Sequence, residues 1–273
     1  MNSRKKVALA AALGIALVGT MNTLRGKLKA FLSDRVERAL NTEVQTDETI
    51  VLNDMEKLHQ VIRKGDVVLI EGRARISQII KLFTQSQWSH AALYIGDELL
   101  KHQPSRRQEI IKKHGGNADK LILEALIEDG VVANPLEKYR HHNLRICRPV
   151  NIKGTDLKRV FESALNDLRK QYDRRNVLHL ALQLLPFNFG PFKKKSAEIC
   201  IGACSEFQVI CSGFIAKAFQ RVKFAIRPVF ELSDTRGNRS EETPDPAVVR
   251  MQHPSRIAPR DFDLSSNFEI IKI

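Results

Sequence analysis

"QSQWSHAALYIGDELL", residues 85–100, decides how the middle of the chain is read. Ala91 to Ile95 form an apolar run, Gly96-Asp97 supplies a turn, and His90 stands at the head. A short apolar run closed by turn residues is the pattern of a buried strand. By itself, a histidine at a strand start is a packing or solvated residue as readily as a catalytic one. Its role depends on what the rest of the chain brings to it.

Strand signals flank this stretch on both sides. In "IRKGDVVLIEG" (62–72) Gly65-Asp66 make a turn and Val67 to Ile70 a strand. Between the two, "ARISQIIKLFTQ" (74–85) sets Ile76, Ile79, Ile80 and Phe83 at helical spacing. "KLILEALIEDGVVANPLEKYR" (120–140) reads as two strands about Asp129-Gly130, ended by Pro135, and "LRICRPV" (144–150) as a further strand. "DLKRVFESALNDLRKQ" (156–171) predicts a helix with Leu157, Val160, Phe161, Ala164, Leu165 and Leu168 on one stripe, capped by Thr155 or Asp156. "SGFIAKAFQRV" (212–222) predicts another, residues 232–256 a long polar loop, and "NFEIIKI" (267–273) a final strand. The expected class is α+β: an antiparallel sheet with helices packed on one face.

Composition narrows the partners. At 43% hydrophobic and 27% charged residues the chain can build a core, which excludes global disorder. Its 44 Lys and Arg against 31 Asp and Glu give +13, which favours an anionic neighbour such as a membrane surface. No zinc-finger spacing and no basic run interleaved with aromatics is present, so no nucleic acid partner is expected. "MNSRKK" followed by the 13-residue apolar run "VALAAALGIALVG" reads as a signal peptide or short membrane anchor over residues 1–24. Residues 25–55 read as an amphipathic helix and linker, and 56–273 as the globular domain, membrane-associated or in the cell envelope. Within that domain "PFNFGPFKKK" (186–195) marks residues 174–209 as an insertion or lid.

The four cysteines, Cys147, Cys200, Cys204 and Cys211, are too few and too clustered for a disulfide framework. Cys200 and Cys204 lack a second ligand pair, and His102, His114 and His179 lack partners at ligand spacing, so neither metal nor cofactor is expected. One cysteine has the setting of a nucleophile. Cys211 follows the apolar "QVI" and precedes an amphipathic helix, and a helix N-terminus favours the thiolate. "CSEF" at 204–207 offers a second cysteine–serine pair, but Cys211 is preferred for its apolar approach and the helix that leaves it.

Five motifs in order carry a family resemblance: "KGDVVLIEG", "FTQSQWSHAALYIGD", "LEALIEDGVVANPLEKY", "VICSGFIAKAF" and "IAPRDFDLSSNFEII". They resemble the permuted NlpC-type papain-like cysteine hydrolases of the YiiX-like group, distantly related to lecithin:retinol acyltransferase. In that branch the histidine strand precedes the cysteine, as His90 precedes Cys211 here. The resemblance implies a permuted papain-like fold with Cys211 as nucleophile, His90 as general base and Glu124 as the polar residue that orients it. It also implies a thiol hydrolase that cleaves an amide, peptide-like bond, cell-wall peptides included. Two other readings stand beside it. One is a lipid-directed acyl hydrolase or acyltransferase at a membrane, and the other a non-catalytic, membrane-anchored binding module.

Overall fold

The computed structural model describes residues 42–43, 52–126, 129–170, 211–231 and 248–272. The expected signal or anchor, the amphipathic helix at 25–41, the 174–209 segment, Cys200, Cys204 and His179 lie outside the described residues.

The chain is α+β, built on a six-stranded antiparallel sheet of order β4-β3-β2-β1-β5-β8. Its strands are β1 (Val67–Ile70), β2 (His90–Gly96), β3 (Leu121–Leu126), β4 (Gly130–Pro135), β5 (Leu144–Pro149) and β8 (Phe268–Ile271). A separate two-stranded ribbon pairs β6 (Pro228–Glu231) with β7 (Val248–Met251). The helices are α1 (Met55–Val61), α2 (Arg75–Thr84), α3 (Glu98–His102), α4 (Arg107–His114), α5 (Gly154–Asn166), α6 (residues 211–220) and α7 (Pro259–Asp263).

β1 is central and buried on both faces, which is why "VVLI" shows no polar alternation. Val67, Leu69, Ala91, Leu93 and Leu123 face one core, filled by Val160, Phe161 and Leu165 of α5 and by Ile215 and Phe219 of α6. Val68, Ile70, Ala92, Tyr94 and Ile122 face a second, smaller core, closed by Met55 and Leu58 of α1 and by Leu136 and Tyr139. The large helices thus cover one face as expected. The other face carries the short α1, which Asp54 caps by accepting from the backbone N–H groups of Glu56 and Lys57.

Three local readings are corrected. α5 is capped at Lys153 without a side-chain bond, so neither Thr155 nor Asp156 serves. It stops at Asn166, short of the expected 171, because the chain there turns to pair with β4. Arg169 takes a left-handed φ of 65° and donates its N–H to Val131 O at 2.9 Å, while Val131 N–H returns to Lys170 O at 3.2 Å. The expected loop at 232–256 contains β7 and a 3-10 turn at Pro254–Arg256.

Candidate active site

The register of the sheet places His90. Ile70 at the end of β1 pairs with His90 at the start of β2, so both stand at one end of the sheet. The approach to His90 is anchored from three directions. Ser89 N–H donates to Ile70 O, and the Ser89 hydroxyl accepts the Gly72 N–H at 2.9 Å. Trp88 is buried, donates its indole N–H to Asp263 Oδ2 at 3.1 Å, and lies under the Arg145 guanidinium at 5.1 Å from the ring centroid. Arg145 in turn ion-pairs with Asp263 at 2.7 Å.

Successive side chains on a strand alternate faces, so His90 shares a face with Ala92 and Glu124 with Ile122, the face of the smaller core. The two meet there, His90 Nε2 lying 2.8 Å from Glu124 Oε2. The Glu124 side chain is wholly buried and receives three further donors. Asn134 Nδ2 and Lys138 Nζ donate to Oε1, each at 2.8 Å, and the Tyr139 hydroxyl donates to Oε2 at 2.5 Å. With Nε2 committed to Glu124, Nδ1 is the ring nitrogen left for Cys211, with which His90 hydrogen-bonds side chain to side chain.

Cys211 is the first described residue of α6 and is buried. The backbone N–H groups of Ala91 and Ser212 hydrogen-bond its sulfur. The position is fixed from outside the helix: the Ser212 hydroxyl donates to Ile257 O at 2.5 Å, in the segment that leads into α7. The Arg260 side chain then ties α7 to Thr84 O at the end of α2.

The electrostatics follow from these contacts. Burial works against charge on all three groups, but their mutual interactions outweigh it. The sulfur of Cys211 and the carboxylate of Glu124 push His90 up to about 10. The facing His90 and the two N–H groups bring the Cys211 thiol below its ordinary value. His90 and Lys138 hold Glu124 far below the usual carboxylate range. The shifts of all three groups favour their charged forms, so the cysteine and the histidine stabilise each other's ionisation with a buried carboxylate behind them. Burial and the adjacent Glu124 push the Tyr139 phenol well up, so it remains a donor. Cys147 is the contrast: burial raises its thiol, and it stays an inert core residue.

A cavity of about 360 Å³ opens onto Cys211 and His90. Ile76, Ile80 and Leu126 supply apolar wall, while Arg73, Asp129 and His142 supply polar wall. Among the described residues no group of three or more His, Cys, Asp or Glu side chains is arranged to hold a metal ion.

Sequence reasoning brought His90, Glu124 and Cys211 into view, and the fold brings all three to one point. It missed Asn134, Lys138, Tyr139 and His142. Asn134 was within reach: the hairpin pairs Glu124 with Val132, which puts Asn134 on the face of Glu124. Lys138 and Tyr139 sit in the 3-10 turn after Pro135 and have no periodic signal. His142 follows that turn outside any periodic segment, and the loop delivers it to the cavity wall.

Residues 61–179 match the permuted papain-like amidase family. The description of that family is "Permuted papain-like amidase enzyme, YaeF/YiiX, C92 family". The permuted papain-like amidase match includes His90 and Glu124 and ends before Cys211. It makes the chain similar to a family of hydrolases of the amidase type. One solved structure that the chain matches is the metalloprotein yiiX from Escherichia coli O157:H7, DUF1105. It is 13% identical, with a TM-score of 0.43, over 77% of this chain and 96% of that one. No curated protein matches the chain. Among the described residues no helix is long and apolar enough to cross a membrane.

Proposed function

We propose that this protein is a cysteine hydrolase that cleaves an amide bond of a peptide-like substrate through an acyl-enzyme. The observation that carries the reading is that Cys211 of α6 and His90 of β2 line one cavity, with Glu124 of β3 buried against His90. The Cys211 thiolate attacks the carbonyl carbon, and the oxygen takes up the negative charge. As the C–N bond breaks, imidazolium His90 gives its proton to the departing amine. A water then loses a proton to His90 and attacks the thioester, releasing the carboxylic acid and restoring the thiolate. Glu124 fixes the ring orientation and stabilises its charged form. The +13 charge supports work beside an anionic surface, and cell-wall peptides are the first substrates to try.

The competing substrate is an acyl lipid, and the apolar wall of Ile76, Ile80 and Leu126 gives it a place to sit. The test offers wild-type protein and Cys211→Ala labelled cell-wall peptide and labelled phospholipid side by side. The reading expects amine release from the peptide by wild type alone. Release of fatty acid with the peptide untouched, or undiminished activity in Cys211→Ala, overturns it.

A further inference from the structure

Glu124 is wholly buried 2.8 Å from the His90 imidazole, and His90 and Lys138 together hold its carboxyl far below the usual range. Among its four hydrogen-bond partners in the described residues, only Lys138 carries a compensating charge besides His90 itself. Lys138 Nζ is 2.8 Å from Glu124 Oε1 and stands 5.1 Å from the centroid of the Tyr139 ring, whose own hydroxyl binds the other carboxylate oxygen. The lysine and the tyrosine therefore clamp Glu124 from one short turn, Leu136–Tyr139, that follows β4.

Charge counting shows what the clamp does. Thiolate Cys211 and carboxylate Glu124 are two negative charges, and imidazolium His90 balances one of them. Lys138 balances the other. Without it the buried set carries a net negative charge, and two like charges in a poorly solvated site raise each other's proton affinity. The remaining charges on the cavity wall, Glu43, Arg73 and Asp129, and the titratable His142 make no hydrogen bond to Glu124.

We propose that Lys138 is a positioning residue of this site, which keeps Glu124 ionised and turned toward His90 so that the thiolate–imidazolium pair persists at neutral pH. The proposal rests on the reading of Cys211 as nucleophile.

The test measures the rate at which iodoacetamide alkylates Cys211 as a function of pH. Cutting after Glu206 and after Lys217 isolates residues 207–217, so that Cys211 is read apart from Cys200 and Cys204. Wild type should show an acid limb below the ordinary thiol range. In Lys138→Met the limb should move up by about one pH unit, which cuts the rate on the rising part of the wild-type curve about tenfold. Lys138→Gln, which keeps a donor but no charge, should move it in the same direction. Lys138→Arg should leave it near wild type. A cooperative melt of each variant shows that it is folded. A limb unmoved in Lys138→Met and Lys138→Gln, or moved equally in Lys138→Arg, overturns the role of Lys138. A wild-type limb at the ordinary thiol value instead overturns the nucleophile reading itself.

Discussion

At the scale of single residues, the site turns on Glu124, a buried carboxylate with four hydrogen-bond donors on two oxygens. A carboxylate so held is depressed in the folded state, and its contribution to stability has a definite sign. It is present above the unfolded value near 4.5 and is lost as pH falls from there through the folded value, which lies far below. Glu124→Gln keeps the shape and removes the charge. Its stability deficit should therefore be full at pH 7 and shrink as the pH drops below about 4.5, measured by denaturant melts at both ends. A deficit that stays constant across that range would mean that only packing was lost. The same substitution should lower kcat/KM by at least about tenfold, because the imidazolium of His90 loses its counter-charge. An unchanged rate would remove Glu124 from the mechanism.

At the scale of elements, the site depends on close approach between the end of β1 and the start of β2. Gly72 passes between two serine hydroxyls, and a Cβ there would lie 2.3 Å from Ser77 Oγ and 2.8 Å from Ser89 Oγ. Gly72→Ala should cost about 1–3 kcal/mol in denaturant melts, as overpacking generally does, and should slow Cys211 alkylation by shifting Ser89 and His90. Wild-type stability in that variant would show that the serines turn aside freely. This close approach also marks what the sequence could and could not convey. Strands β1 to β5 and helix α2 were legible because their apolar runs and helical spacing are local. α1 was not, since seven residues, Met55–Val61, are too few to show a period. The end of α5 was not, because Arg169 and Val131 exchange bonds across the fold. The strand alternation that buries Ile122 also assigns Glu124 its face, but nothing local brings Lys138 and Tyr139 to it.

At the scale of the whole molecule, one ion pair joins the sheet to the turn between α1 and β1. Asp66 is buried and grips Arg148 of β5 with both oxygens, at 2.9 and 2.7 Å, while its Oδ2 also accepts the Arg63 N–H. Arg148→Met leaves that carboxylate buried without its partner and should cost about 3–5 kcal/mol in a urea titration. A loss under about 1 kcal/mol would mean that water reaches Asp66 easily. The long-range order of the chain carries the larger conclusion. His90, Glu124 and Cys211 are spread over 121 positions, and the sheet register, the Ser212–Ile257 bond and the Trp88–Asp263 bond assemble them. The central claim is that Cys211 is the nucleophile of this assembly. Its most direct measurement is the site of labelling by a thiol-directed acyl probe, read by peptide mass spectrometry in wild type, Cys211→Ala and Cys204→Ala. The account predicts an adduct on Cys211 in wild type and Cys204→Ala, and none in Cys211→Ala. Labelling that persists in Cys211→Ala and vanishes in Cys204→Ala would contradict it.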